Sequence, residues 1–290
     1  MGRLILGSET INRLIIGCGY LGKRVALRWL EQGDQVFALT RSPEHARRLE
    51  EQRIAPIVGD VMDPGSLSSL PNVDSCLYAV GFDRSGSYSK QQVYVTGLGH
   101  VLKALASKIR RLTYISSTSV YGQDHGELVD EESPCEPNSE GGRICLEAER
   151  LVRDSQIPAT ILRLSGIYGP QRLIGRTEQL RQRQPLSGRP DAWLNLIHVD
   201  DAASCVLTVA DQTQAAPLYL VSDERPVQRG EFYGTFAQLV GAPPPLFAEP
   251  DAPSLGKRCQ SQRLWEEFKI ERQFPTIVEG LPQALDASTT

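Results

Sequence analysis

A short apolar run, Arg13-Leu14-Ile15-Ile16, is followed at once by Gly17-Cys18-Gly19-Tyr20-Leu21-Gly22, and then by a segment whose Leu21, Val25, Trp29 and Leu30 share one helical face. A strand, a GxGxxG turn and an amphipathic helix, in that order, leave few folds open. The first glycine permits a tight turn, the second lets backbone approach a pyrophosphate, and the third lets the helix pack closely on the strand. The helix start then presents unpaired N–H groups and the positive end of its dipole to an anion. Gly33 follows the helix as a stop signal. Residues Gly17, Gly19, Tyr20, Leu21 and Gly22 are therefore read as the phosphate-binding turn of a dinucleotide site.

The chain continues in the same rhythm. Strands are expected at Arg13–Ile16, Gln35–Thr40, Ala55–Val58, Ser75–Ala79, Leu112–Ser116 and Ala159–Leu164. One helix is expected over Ser89–Ser107, from Tyr94, Leu98, Val101, Leu102 and Leu105, and another over Glu140–Asp154, from Ile144, Ala148, Leu151 and Val152. Strands alternating with helices predict an α/β, doubly wound Rossmann parallel sheet. After Pro170 the texture changes to Gln/Arg-rich stretches, isolated prolines and a Pro243-Pro244-Pro245 run. The expected division is a nucleotide-binding domain over 11–170 and a smaller C-terminal substrate-binding lobe over 171–290, interleaved with late sheet elements such as Pro217–Val221.

Composition narrows the partners. With 31 basic and 35 acidic residues among 290, the net charge of −4 offers no broad surface to nucleic acid, which points to small molecules. No apolar stretch approaches the length of a membrane span and the first ten residues lack a signal-peptide pattern, so a cytoplasmic protein is expected. The six cysteines form no CxxC pair and have no histidine at ligand spacing; they are read as reduced thiols with no metal site.

An NAD-binding unit places a carboxylate at the end of the second strand, about 20 residues past the turn, to bond the ribose 2′-hydroxyl. Here that strand ends Leu39-Thr40-Arg41-Ser42. A guanidinium beside a hydroxyl suits a 2′-phosphate, so NADP is expected over NAD, with Arg41 and Ser42 at the phosphate. The alternative reading of Arg41 is a solvated loop charge.

Taken together, these motifs and five others in order from Gly17 to about Leu285 resemble the extended short-chain dehydrogenase/reductase superfamily, which includes nucleotide-sugar epimerases and dehydratases. Gly59-Asp60-Val61 is similar to its adenine-contacting turn, which implies cofactor contacts at Asp60 and Val61. Ala79-Val80-Gly81 stands where the family brings backbone near the cofactor riboses. Ser116-Ser117-Thr118-Ser119-Val120-Tyr121-Gly122 resembles the motif closing the fifth strand, Arg163 to Pro170 the segment lining the nicotinamide pocket, and Asn195 to Asp201 the segment leading into a helix beside the substrate. In the family, the helices matching Ser89–Ser107 and Glu140–Asp154 often pair with their copies, which implies a possible homodimer.

The departures matter as much. The resemblance places a catalytic tyrosine, and a lysine four residues later, at Gly141 and Cys145. Glycine has no proton to give and a thiol no positive charge, so the standard mechanism cannot run there. Ser117 matches the hydroxyl that bonds the reacting oxygen and is the one catalytic candidate; its other reading is a strand-end cap. Gly166 replaces a substrate-contacting asparagine of the sugar-nucleotide members. Tyr121, Tyr168 and His198 are read as scaffold, Glu131-Glu132 and Asp200-Asp201 as solvated charges or helix caps, and Lys257, Arg258 and Arg263 as a solvated basic face or contacts to an anionic substrate. Two functions fit: an NADP-dependent oxidoreductase or epimerase-like enzyme acting on a small carbonyl, hydroxyl or sugar-derived compound, or a non-catalytic NADP-binding regulator or assembly factor.

Overall fold

The computed structural model describes residues 10–248 and 254–286. In chain order its elements are β1 Asn12–Ile16, α1 Tyr20–Glu31, β2 Gln35–Thr40, α2 Pro43–Glu51, β3 Ala55–Val58, β4 Val73–Tyr78, α3 Gly97–Leu105, β5 Ile109–Ser117, β6 His125–Val129, α4 Glu140–Asp154, β7 Ala159–Leu164 and β8 Gly166–Tyr168. They continue with α5 Ile174–Arg181, β9 Trp193–Leu194, β10 Leu196–His198, α6 Val199–Ala210, β11 Leu218–Val221, β12 Val227–Gln228, α7 Arg229–Leu239, β13 Gly256–Cys259, α8 Arg263–Phe268 and α9 Ile277–Leu285.

Seven strands form one sheet in the order β11-β7-β5-β4-β1-β2-β3, with parallel registers such as Ile16↔Leu39 and Ile16↔Tyr78. This is the Rossmann order with one further strand, and it confirms the α/β doubly wound expectation. Strands of such a sheet are covered on both faces, which is why β1 and β4 are buried at nearly every position rather than at alternate ones.

Compactness groups the chain into two interleaved units: residues 1–115, 147–160 and 206–215, and residues 116–146, 161–205 and 216–290. The boundary read from sequence at 170/171 divides the chain once, whereas these units each leave and re-enter it. In the first unit, Leu21, Val25 and Trp29 of α1 are buried together with Leu14 to Ile16. There, β1 also carries a buried cation. Arg13, 2% exposed, pairs with Asp34 at 2.7 Å and Asp211 at 2.6 Å, donates to Ser75 Oγ at 2.9 Å and lies 5.0 Å from the Trp29 ring. A charge is tolerated at that depth because every direction of the guanidinium meets an acceptor or a π face.

The second unit holds three two-stranded ladders, β8 with β10, β9 with β12 and β6 with β13, and an apolar core that includes Tyr168, Phe232, Phe236, Ile277 and Leu281. Thr276 starts α9 with a reciprocal capping box to Glu279. The Glu140–Asp154 helix occurs as expected. The helix expected over Ser89–Ser107 is shorter: a π-helical turn at Gln92–Thr96 precedes α3, which ends at Leu105.

Candidate functional site

In the first unit the C-terminal ends of β1 to β4 gather the nucleotide candidates. Gly17 has φ +97°, and a Cβ there would lie 2.4 Å from the Ala79 carbonyl oxygen, so the turn after β1 is pressed backbone to backbone on the end of β4. Ala79 N–H donates to the Ile16 carbonyl at 2.8 Å. At Gly22 a Cβ would lie 2.4 Å from the Gly17 oxygen, which is the close helix approach expected of the third glycine. Gly19 differs: a Cβ there would meet nothing within 4 Å. As the N-cap of α1 it brings no capping side chain, and the first turn holds no acidic residue. The start of α1 thus has no cap from its N-cap side chain, the arrangement in which a helix N-terminus can receive an anion.

Leu21 has only its backbone to offer at this turn, since its side chain is in the core. Tyr20 is braced by Arg24, whose guanidinium sits 4.4 Å from its ring and donates to its carbonyl. The Cys18 thiol is pushed up to about 11 by burial, against the pull of Lys23, and stays protonated.

Beside this turn, Arg41 and Ser42 follow β2. Ser42 caps α2 by accepting the His45 N–H, and Thr40 Oγ1 meets His45 Nδ1 at 3.1 Å. Arg41 is exposed and lies 3.6 Å from Asp83, whose acidity is increased first by hydrogen bonds from Ser85 and then by Arg41. Arg41 is therefore neither free nor firmly held. Gly59 N–H donates to the Thr40 carbonyl, which brings the Asp60 turn next to Arg41. Asp60 Oδ1 accepts the Met62 N–H, and the Val61 carbonyl meets His100 Nδ1 at 2.9 Å. Val80 is half-buried and Gly81 exposed, with open space at its Cβ position.

A group invisible to sequence reasoning adjoins this loop. The π-helical turn carries Tyr94, whose hydroxyl oxygen accepts the Phe82 N–H at 3.1 Å, and the Lys90 ammonium stands 5.4 Å from the Tyr94 ring centroid. The buried hydroxyl of Tyr78, at the end of β4, has no hydrogen-bond partner among the described residues. Helical spacing alone had read Tyr94 as a packing residue.

The second unit holds Ser117. Its Oγ accepts the Ser119 N–H at 3.1 Å, so it caps the turn Thr118–Val120 while its own O–H can still donate. Behind that turn, a Cβ at Gly142 would lie 2.2 Å from the Ser119 oxygen, which fixes α4 against the motif. Gly141 is half-buried and Cys145 is 6% exposed.

Other phenols and imidazoles that could carry a proton are mostly engaged in contacts. Tyr121 accepts from Arg163 at 2.9 Å, with burial pushing its hydroxyl up. Tyr168 is likewise buried and raised, first by burial and then by Asp223. His198 is fully buried between Tyr168 and Phe274, with Nδ1 accepting the Asp200 N–H and Nε2 at 2.8 Å from Gln283. Tyr88 and His125 are exposed, the latter beside Asp124.

Several acidic and basic readings change. Asp201 is not solvated: it is fully buried and accepts the N–H groups of Gln273 and Phe274 at 2.8 and 2.9 Å. Glu131 accepts the Leu220 N–H at the edge of β11, while Glu132 meets Arg263 at 3.4 Å. Lys257 is half-buried rather than part of a solvated face; it donates to the Tyr121 carbonyl at 3.1 Å and burial lowers its pKa. Arg258 donates to the Gly126 carbonyl over the Trp193 ring.

Comparison with known proteins agrees with this geometry. A sequence model of the NAD dependent epimerase/dehydratase family matches residues 14–221. Protein YeeZ of Escherichia coli strain K12 is 29% identical over 276 residues, covering 90% of this chain and 95% of its own. A solved protein of Methylobacillus flagellatus, assigned to the NAD-dependent epimerases/dehydratases, is 30% identical with a TM-score of 0.79, over 97% of this chain and 100% of that one. The Bordetella bronchiseptica enzyme WbmG, solved with NAD, shares the fold with a TM-score of 0.81 at 19% identity, over 97% of this chain and 94% of its own.

Proposed function

This chain belongs to the NAD dependent epimerase/dehydratase family, and from that premise we propose that it binds a nicotinamide dinucleotide, NADP ahead of NAD, and acts as an oxidoreductase or epimerase-like enzyme on a small carbonyl, hydroxyl or sugar-derived compound. The observation that carries the reading is Gly19: open space at its Cβ position, beside a first helical turn that no side chain caps. Gly17, Gly22 and the Ala79–Gly81 backbone shape the rest of that cradle, and Asp60 and Val61 would border the adenine.

The dinucleotide, when bound, supplies or accepts hydride. Arg41 and Ser42 favour a 2′-phosphate: a phosphate bonded to Arg41 replaces an exposed 3.6 Å contact to Asp83, worth little in water, with charge-assisted bonds. Ser117, already accepting the Ser119 N–H, keeps its own proton to donate and would polarise the reacting oxygen. Gly166 argues against an obligate nucleotide-sugar substrate, although the Bifidobacterium longum UDP-glucose 4-epimerase solved with NAD+ and UDP shares the fold.

Calorimetric titration with NADPH and NADH in parallel tests the reading. Tighter binding of NADPH supports it; equal or tighter NADH removes the role of Arg41, and no binding of either removes the enzyme. A second reading, a non-catalytic NADP-binding regulator, is favoured by Gly141 and Cys145 standing where the catalytic pair is expected. Stereospecific NADPH oxidation by a panel of aldehydes, ketones and sugar nucleotides speaks for the enzyme, and a partner that binds only one redox form speaks for the regulator.

A further inference from the structure

Reduction of a carbonyl needs one proton at the oxygen for each hydride added at the carbon, and neither Gly141 nor Cys145 offers a phenol or an ammonium for it. A phenol and an ammonium do occur together in the first unit, in reversed order: Lys90 precedes Tyr94 by four residues. We infer that Tyr94, assisted by Lys90, is the proton donor of this chain, acting on a substrate oxygen beside the bound cofactor; the inference rests on the dinucleotide reading above.

Three features converge on Tyr94. The π-helical turn at Gln92–Thr96 breaks the α-helical spacing, and such turns concentrate at functional positions because they re-aim one side chain at a cost in helix regularity. The re-aimed phenol reaches the loop after β4, where its oxygen accepts the Phe82 backbone N–H at 3.1 Å. A backbone N–H fixed on that oxygen favours the charge left there when the proton departs, as oxyanion-hole donors do. The Lys90 ammonium, 5.4 Å from the ring centroid, adds a positive charge to the same ring. Tyr94 is only half-buried, and Gly81 is exposed and open at its Cβ position.

The step balances. The reduced dinucleotide, when bound, would supply the hydride and be oxidised; as the carbonyl carbon gains that electron pair, the C=O π pair moves to oxygen, the Tyr94 O–H bond breaks, and that proton forms the new O–H bond of the alcohol. The Phe82 N–H would hold the phenolate oxygen and the Lys90 charge beside the ring would favour the anion until water returns a proton.

The test needs no identified substrate. Tetranitromethane attacks phenolates, so the full-length protein is treated with it and nitration is mapped by peptide mass spectrometry. Tyr94 should be nitrated at least fivefold faster than the more exposed Tyr88, should slow at least threefold in Lys90→Met, and should be shielded by saturating NADPH. Equal rates at Tyr94 and Tyr88, or no response to Lys90→Met, overturns the assignment. Calorimetry on the same wild-type protein separates the two ideas: nitration without the Lys90 effect but with NADPH binding sinks Tyr94 alone, whereas no nucleotide binding sinks the dinucleotide reading and the donor role with it. With any panel compound that is turned over, Tyr94→Phe should lower kcat at least a hundredfold while NADPH affinity stays within twofold; an unchanged kcat excludes Tyr94 as donor.

Discussion

Replacing Gly19 by alanine separates a fold glycine from a ligand glycine. A Cβ at this position meets no atom within 4 Å and the residue's φ is −95°, so the folded protein gains a methyl group in open space. Stability should change by no more than about 0.5 kcal/mol, the usual range for a surface change that touches nothing. The pyrophosphate, however, needs that space. Holding it one methyl radius farther out forfeits at least one charge-assisted bond from the first turn of α1, worth about 1.5–3 kcal/mol, so affinity should fall roughly ten- to hundredfold. Gly22→Ala should behave in the opposite sense. Its Cβ would sit 2.4 Å from the Gly17 oxygen, backbone that can yield only if α1 moves, and such overpacking costs about 1–3 kcal/mol of stability. Thermal melts of the apo proteins and calorimetry with NADPH read the two effects apart. If Gly19→Ala binds NADPH like wild type, or melts as early as Gly22→Ala, the cradle is misread.

Arg41→Ala should weaken NADPH several-fold and leave NADH unchanged in parallel calorimetry; equal losses for both would leave the 2′-phosphate role without support. Burial holds the Asp223 carboxyl well above its usual 3.8, with Asp201 adding to the rise and Arg272 opposing it. The folded state therefore keeps a proton that the unfolded chain releases, and stability should fall as pH rises from about 3.8 through the raised folded value, by at most about 1.4 kcal/mol per pH unit. Asp223→Asn should flatten this slope in urea melts run across that range, and an unchanged slope would assign the pH dependence to other groups. Arg13→Met leaves buried Asp34 without its cation and should cost about 3–5 kcal/mol in the same melts.

The parts legible in sequence are those set by short-range periodicity. The β1–turn–α1 unit and the Glu140–Asp154 helix were readable because consecutive residues carry both the apolar spacing and the stop signals. Tertiary partners overruled the rest. Leu98, Val101, Leu102 and Leu105 pack as α-helical spacing requires, but the same spacing gave no sign of the π turn before them. At that junction a Cβ on Gly97 would sit 2.7 Å from Val61 Cγ2. Nothing local marked Asp201 as buried either. Its carboxylate is satisfied by backbone N–H groups more than seventy residues away in sequence, at Gln273 and Phe274. For the site, the glycines were visible because each answers a local backbone demand, whereas Tyr94 was not, because its partner at Phe82 is met only through the fold.

The burial of Cys145 argues against restoring the lysine that the family resemblance places at its position. An exposed cleft position would accept a lysine at little cost, but Cys145 is 6% exposed on the buried face of α4 together with Ile144 and Ala148. Gly142 meanwhile holds the start of that helix against the Ser119 carbonyl with no room for a Cβ. Cys145→Lys should therefore bury an unpaired ammonium and cost on the order of 3 kcal/mol, while Cys145→Ala costs far less. Urea melts of the two variants decide the matter. A Cys145→Lys protein as stable as wild type would mean that this face of α4 opens to solvent, and the family's pair could then be rebuilt in place. A large loss would mean that this face of α4 stays packed in the core, so that any proton donor must come from another element.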